Sequence, residues 1–265
     1  MCLVRLDGWG LQPVEWFERI LRATFPASNF KRTRSPQNTG LLGVEKSLEI
    51  VGASPAGGVN EIEALLSLLN ATLTIEDGLE ESHALAYHKN ETEDGGLVRS
   101  RAGSVLYSAK YNGNSKAAEA IENALARFVQ LHPRYRSAKF IAAVPPHARE
   151  TAQSLCRTLV ARLATRLGMA PVAIQRVDTR TPQKNITDEN RKKGVDLRIQ
   201  NQEGSMRVAA QLSGGRIIVI DDLYGSGGSM REAARALRHA GASVVLGLVV
   251  TKQRLFEGVR MTSQD

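Results

Sequence analysis

From about residue 100 onward, short apolar runs alternate with longer stretches whose apolar residues recur every three or four positions. Residues 104–111 alternate apolar and polar side chains, which predicts a strand. Over 115–129 the spacing turns helical, with Ala118, Ile121, Leu125 and Phe128 on one face. A continuous apolar run at 138–144 is stopped by Pro145 and Pro146. Residues 151–167 predict a helix that Gly168 closes, and 171–177 a further strand. The segment 178–210 is polar, charged and without periodicity. Residues 216–220 predict a buried strand, 225–228 form a glycine-rich turn, and 229–240 predict a helix with Ala233, Leu237 and Ala240 inward, closed by Gly241. A last apolar run covers 243–250. Strands that are apolar throughout must be buried on both faces. Alternating with helices, they predict an α/β fold whose central parallel sheet is flanked by helices.

The first 95 residues lack this regularity. Residues 12–25 predict a short amphipathic helix, with Trp16, Ile20 and Leu21 on one stripe and Pro13 in its first turn. The Pro, Ser, Asn, Gly and Thr content of 26–60 predicts mostly loop. Residues 61–69 read as helix, and 71–75 and 82–88 as strands joined by a turn. The run Glu-Thr-Glu-Asp-Gly-Gly at 91–96 is a turn signal and sets a boundary there. The chain of 265 residues then divides into an N-terminal α+β extension over 1–95 and a main domain over 96–265.

Composition mainly excludes. A hydrophobic fraction of 42% and a charged fraction of 23% rule out a disordered or collagen-like chain. No run of about 18 apolar residues exists, so no membrane association is expected. The start of the chain has no signal-peptide pattern, and Cys2 and Cys156 make neither a CxxC nor a disulfide framework. A reducing cytoplasm is the expected location. Charge changes the picture more: 41–100 carries a net −8 and 131–210 a net +9. The basic block suits an anionic ligand such as a polyphosphate, a nucleotide or nucleic acid. Two solvated faces that partly neutralise each other are the alternative. No HxxxH spacing or His/Cys cluster predicts a structural metal. His83 and His88 fall on opposite faces of a strand, His147 reads as a loop residue and Cys156 as a small core residue. Phe256 reads as packing against the sheet edge.

The chemistry concentrates in 216–240. Four apolar residues end in Asp221 and Asp222, at the carboxyl end of a predicted strand, where open α/β sheets bind ligands. Gly225, Ser226, Gly227, Gly228 and Ser229 then lead directly into a helix. Glycines let backbone N–H groups approach an oxygen-rich anion, and a helix N-terminus adds partial positive charge. Ser226 and Ser229 add hydroxyl donors. The loop therefore suits a phosphate. The paired acids would repel a phosphate but suit hydroxyls of a sugar attached to it. The combined reading is a phosphorylated ribose. A Walker B strand needs a GxxxxGK[ST] partner, and the chain contains no Gly-Lys pair. A dinucleotide fingerprint needs glycine where Met230 stands. The residues from Asp221 to Gly228 approach the cofactor motif of DNA amino-methyltransferases, which predicts S-adenosylmethionine binding. That family's Pro-Pro-aromatic motif is not met by Val144-Pro145-Pro146-His147. A tight strand-to-helix turn with solvated acids is the remaining alternative.

Residues 217–229 resemble the thirteen-residue phosphoribosyl pyrophosphate (PRPP) signature of type I phosphoribosyltransferases: four apolar residues, two acids, then Thr-Thr-Gly-x-Thr after two variable positions. Asp221 and Asp222 match the acids. Ser226, Gly227 and Ser229 match the Thr-Gly-x-Thr positions, and Gly225 replaces the first Thr. The stretch from Thr181 to Arg191 is similar to the Thr-x-x-Gln-x-x-Leu-Ser-x-x-Glu-Arg pattern in the mobile loop of the ComF-like, competence-associated branch. Gly194 stands where that branch has Asn, and the Thr–Gln spacing is one residue short. Tyr107, Lys110, Tyr111 and Gly113 resemble its Lys-Tyr-x-Gly element, whereas its N-terminal CxxC zinc ribbon is absent.

The resemblance covers roughly 104–251 and implies the type I phosphoribosyltransferase fold, with 1–95 as a hood over the acceptor site. It implies magnesium-dependent transfer of a phosphoribosyl group from PRPP to a base-like acceptor, with loss of pyrophosphate and an oxocarbenium-like transition state. Asp221 and Asp222 would be catalytic, orienting the ribose, and are candidate Mg2+ contacts. Gly225, Ser226, Gly227, Gly228 and Ser229 would hold the 5′-phosphate. Arg149, after the 138–144 strand, would bind pyrophosphate. Lys184 and Arg191 are further catalytic candidates in a lid over 178–210, which also carries Arg180, whereas Lys192 and Lys193 read as solvated charges. A rival keeps the fold and drops the reaction: a phosphoribosyl-ligand sensor or a DNA-associated accessory protein. The partners implied are PRPP, an unidentified acceptor and, weakly, single-stranded nucleic acid. A homodimer is admissible.

Overall fold

The computed structural model describes residues 2–4, 14–24, 29–34, 46–51, 58–146, 154–177 and 202–254. The chain divides into two compact units, Met1–Ala71 with Leu131–Arg134, and Thr72–Gln130 with Tyr135–Asp265. The first contains β1 (Cys2–Val4), α1 (Val14–Thr24), β2 (Asn29–Arg34), β3 (Lys46–Val51) and α2 (Gly58–Asn70). The helices fall where spacing predicts them, and Ile20 and Leu21 are buried. The expectation that 26–60 is mostly loop changes at two places, and most of that stretch lies outside the described residues. β2 and β3 lie inside it and pair antiparallel, in a three-stranded sheet of order β1-β3-β2. Each strand is six residues long and flanked by turn-forming residues, so a composition window averages the strand signal away.

The second unit is built on a six-stranded sheet, ordered β4-β5-β13-β12-β8-β9. Its strands are β4 (Leu73–Thr74), β5 (Glu81–Tyr87), β8 (Phe140–Ala143), β9 (Ala170–Val172), β12 (Arg216–Tyr224) and β13 (Val244–Lys252). Every pairing is parallel except that of β4 with β5. Ile217, Ile218, Val219 and Ile220 are fully buried, as a strand covered on both faces requires. One face packs on α7 (Gly228–His239) through Met230, Ala233 and Leu237. Helix α6 (Leu155–Leu167) lies on β8 and β12, capped by Ser154 at its start and by left-handed Gly168 at its end. Helices α3 (Arg101–Tyr111), α4 (Ser115–Leu131) and α5 (Pro133–Arg136) complete the described helices. Among the described residues no helix is long and apolar enough to cross a membrane.

Three local expectations change. Residues 104–111 are helical, not extended, because Ser100 caps α3: its hydroxyl accepts the Gly103 amide at 2.9 Å. Gly103, Leu106 and Ala109, three apart, form the buried face, so the apparent alternation concealed a helical stripe. A Cβ at Gly103 would strike the His88 carbonyl oxygen, so glycine is what lets the helix pack this closely. The predicted strand 171–177 is two strands. β9 stays on the sheet edge, while β10 (Ile174–Arg176) leaves to pair antiparallel with β11 (Met206–Val208). The glycine turn at 94–96 joins β6 (Lys89–Glu91) to β7 (Leu97–Arg99) in an antiparallel ribbon, so β4 and β5 of the main sheet precede the expected boundary.

Tyr135 fastens the sheet's centre. Its buried hydroxyl donates to the carbonyl of Gly247 at 2.8 Å and that of Glu81 at 3.2 Å, bridging β13 and β5. Tyr135→Phe should lower stability by about 1–2 kcal/mol, read from the midpoint of urea unfolding. An unchanged midpoint would mean the hydroxyl contributes nothing.

Candidate active site

The acids sit where the sheet's cover ends. Register pairs Ile220 with Ala143, the last residue of β8, and Asp221 with Val249 of β13. β12 therefore runs on to Tyr224 with a neighbour on one side only, four residues beyond its predicted end. Both carboxylates emerge at this carboxyl edge, and the Asp222 amide donates to Asp221 Oδ1 at 2.9 Å. Lys110, in the last turn of α3, places Nζ 2.7 Å from Asp222 Oδ2. Thr251 on β13 donates its hydroxyl to the Asp222 carbonyl at 3.4 Å, and His88 Nδ1 lies 3.3 Å from that hydroxyl.

Cys156 is a buried small residue, as expected, but it belongs to this neighbourhood. One ligand atom from each of Cys156, Asp221 and Asp222 lies within 4.8 Å of the others. Magnesium takes hard oxygen ligands and is commonly held through one or two carboxylates together with substrate phosphates. Asp221 and Asp222 fit that requirement. The soft Cys156 sulfur does not.

Three residues past Asp222 the chain enters the small-residue loop. Gly227 is the N-cap of α7, with φ +81° and no capping side chain, so the first amides of the helix point outward without an internal acceptor. A Cβ at 227 would collide with the Tyr224 phenol, and positive φ disfavours any other residue. Burial, followed by the charge of Asp77, pushes the Tyr224 phenol up, so it stays neutral. Ser226 is buried, and its hydroxyl has no hydrogen-bond partner among the described residues. Gly228 is buried as well, while Gly225 and Ser229 are half-buried. An uncapped helix start and an orphaned hydroxyl at one turn form a cradle for an anion.

Arg176 organises the other side. It donates from Nε to the Pro146 carbonyl and from Nη2 to the Pro145 carbonyl, both at 3.3 Å. Its Nη1 reaches Gln202 Oε1 at 2.6 Å and Ser205 Oγ at 3.3 Å. One guanidinium thus joins the loop after β8 to the chain that returns into β11. Burial lowers its pKa, opposed by the charges of Glu232 and Asp221, and it stays a cation. Glu232 of α7 accepts the Met206 amide at 2.9 Å, fixing β11 to the same helix.

The structure therefore brings together Asp221, Asp222 and the residues 225–229. Arg149, Lys184 and Arg191, together with Arg180, Lys192, Lys193 and most of the expected lid, lie outside the described residues. Sequence reasoning did not assign Lys110 or Arg176 to the site. Lys110 had a signal, the Tyr-x-x-Lys-Tyr element, but a strand assignment hid which way it faces. Arg176 had a weaker one, a basic residue at a strand end just before an aperiodic charged segment.

A family model described as "Phosphoribosyl transferase domain" matches residues 114–255. The chain belongs to this phosphoribosyltransferase family. The matched span covers β8, β12, α7 and β13, and so the acid pair and the anion cradle. Similar solved structures include orotate phosphoribosyltransferase from Aeropyrum pernix, at 14% identity over 72% of this chain and 80% of that one, with a TM-score of 0.35. Adenine phosphoribosyltransferase from Saccharomyces cerevisiae is similar at 13% identity over 72% and 89%, TM-score 0.37. Purine phosphoribosyltransferase from Pyrococcus horikoshii Ot3 is similar at 13% over 51% and 81%, TM-score 0.33. No curated protein matches the chain significantly. The fold is that of a type I phosphoribosyltransferase, and the protein is an enzyme of this transferase class.

The acid pair gives the phosphoribosyltransferase a distinctive pH dependence. Burial, followed by the neighbouring Asp222 carboxylate, pushes Asp221 up to about 8. An unfolded aspartate ionises near about 3.9. Between these values the folded chain keeps a proton that the unfolded chain has released, so this group makes stability fall as pH rises from about 4 to 8. Asp221→Asn should be the more stable protein at pH 8, and the difference should vanish towards pH 4. Urea unfolding of both proteins across that range checks this, and a constant difference would refute it.

Proposed function

We propose that the enzyme transfers the 5-phosphoribosyl group of PRPP to a nitrogen of a base-like acceptor, with magnesium bound to the donor. The observation that carries this reading is the cradle three residues beyond the acids. Anion-binding amides and an unpartnered buried Ser226 hydroxyl follow a carboxylate pair on one short stretch of backbone. A phosphate at one end and a diol at the other is the chemistry of a ribose 5-phosphate unit. Residues 225–229 hold the 5′-phosphate, and Asp221 and Asp222 accept the ribose hydroxyls. Arg149 serves the pyrophosphate, and Lys184 and Arg191 close over it. Bound magnesium supplies positive charge to the pyrophosphate oxygens.

In the reaction the bond from C1 to the pyrophosphate oxygen breaks, and its electron pair leaves with the pyrophosphate. The acceptor nitrogen supplies the pair for the new C1–N bond and loses its proton. The protein's own share is positioning and charge: a fixed 5′-phosphate, an oriented ring, and carboxylates beside the electron-poor ribose. The Lys110-Tyr111 element and the segment from Thr181 to Arg191 support placing the chain in the ComF-like branch.

Calorimetry with PRPP, with and without magnesium, tests the reading. Wild-type protein should bind in a magnesium-dependent manner, and Asp221→Asn/Asp222→Asn should lose that binding. Ser226→Ala should weaken binding about ten-fold while leaving stability unchanged or slightly higher, because the hydroxyl it removes is unsatisfied without ligand. No binding by the wild type would refute the reading.

One surface favours a second reading. Tyr107 and Tyr111 are 40% and 66% exposed, with ring centroids 4.9 Å apart, and Arg99 lies over the Tyr107 ring at 4.2 Å. Exposed aromatics interleaved with arginine suit stacked bases of single-stranded nucleic acid. That reading predicts oligonucleotide affinity that falls steeply with salt and is lost in Tyr107→Ala/Tyr111→Ala. Affinity indifferent to both would remove it.

A further inference from the structure

Two adjacent carboxylates at a sheet edge need counter-charge, and Asp222 takes it from Lys110. The ion pair is 2.7 Å long, with the lysine side chain 26% exposed and the aspartate 12%. The pair is thus shielded from bulk water but stands at the rim. The backbone beneath Lys110 is fixed. Ser100 caps the helix, Gly103 packs on the His88 carbonyl, and Leu106 and Ala109 are buried. What can move is the four-carbon stem and its ammonium. Tyr111 offers it a second contact, with Nζ 5.8 Å from the ring centroid.

This arrangement conflicts with the role given to Asp222. The Asp222 oxygen that holds the ammonium at 2.7 Å has less to offer a ribose hydroxyl, so a diol that reaches this oxygen competes with Lys110. The same donor molecule carries a remedy. Its pyrophosphate sits on the carbon next to the 2-hydroxyl, and it is a more highly charged anion than a carboxylate. A short swing takes the ammonium from one to the other without leaving it unpaired.

We propose that Lys110 is an exchangeable counter-ion, paired with Asp222 until the donor binds and then transferred to the pyrophosphate. The proposal rests on the reading of the donor as PRPP. It makes Lys110 a specificity determinant. A ligand with the diol and 5′-phosphate but no pyrophosphate has to break the ion pair and offers nothing in return. Ribose 5-phosphate is therefore disfavoured, and the enzyme distinguishes the charged donor from its stripped remnant at Asp222 itself.

Calorimetry at saturating magnesium, with PRPP and ribose 5-phosphate as separate ligands, tests this on wild type, Lys110→Gln and Lys110→Arg. Lys110→Gln should bind PRPP about ten-fold more weakly, the order expected for a lost charge-assisted hydrogen bond, yet bind ribose 5-phosphate at least as tightly as wild type. Lys110→Arg should restore the preference for PRPP. Equal weakening of both ligands would mean that Lys110 only holds the helix end in place. Unchanged PRPP affinity would mean that the ammonium never reaches the pyrophosphate. Either result overturns the exchange. A wild type that binds neither ligand would instead overturn the phosphoribosyl reading, and the exchange with it.

Discussion

The end of β8 at Ala143 governs the chemistry of this enzyme. As long as β12 is flanked on both edges and covered on both faces, only apolar residues are tolerated, and Ile217 to Ile220 are fully buried. One residue later β12 has lost its neighbour on that side but keeps the other, since Asp221, Leu223 and Tyr224 still pair with β13. The backbone stays fixed while one flank opens. A pair of acids can sit there, and it can be held in place. A free loop would give the acids water but no fixed direction, and a fully flanked strand would give direction at a prohibitive desolvation cost. The glycine-rich turn begins where the pairing with β13 runs out.

Charge balance follows from that geometry. Two carboxylates on consecutive residues cannot both be ionised cheaply when half-buried. The fold relieves this in two ways: Lys110 neutralises Asp222, and a retained proton neutralises Asp221. Arg176 adds a third contribution from the opposite side while all its hydrogen bonds hold loops together. Each of these cations comes from a different element, α3 or β10, so electrostatic balance depends on the whole sheet being assembled. The same dependence links the ligand to the fold.

Much of this was legible in the sequence because the signals were local. The apolar runs of β8, β12 and β13, the acids and the small-residue loop each declare themselves within a dozen residues. Long-range causes were not legible. The stretch 104–111 reads as alternating until Ser100 is recognised as a cap and His88 as the surface on which Gly103 packs. β3 is held between β1 and β2, and the six-residue lengths of β2 and β3 vanish among the turn formers around them. The break of 171–177 into β9 and β10 depends on β11, some thirty residues further along. Lys110 and Arg176 were missed for the same reason. The local signals at the two residues do not say what they face, and only the tertiary structure brings one to Asp222 and the other to Pro145 and Pro146.

The two ends of the site are unsatisfied in different ways, and this says something about the order of binding. At the cradle, the Ser226 hydroxyl and the uncapped amides of α7 have no protein partner among the described residues, so an anion there breaks no hydrogen bond between them. At the acids, every incoming hydroxyl displaces a group already in place, Lys110 or a proton. Binding energy is therefore available first at the phosphate end and is drawn on at the ribose end. On the proposed function, a phosphate anchored on residues 225–229 would convert the competition at Asp222 from a bimolecular contest into one within a tethered complex. That would let a weak donor such as a hydroxyl displace an ammonium.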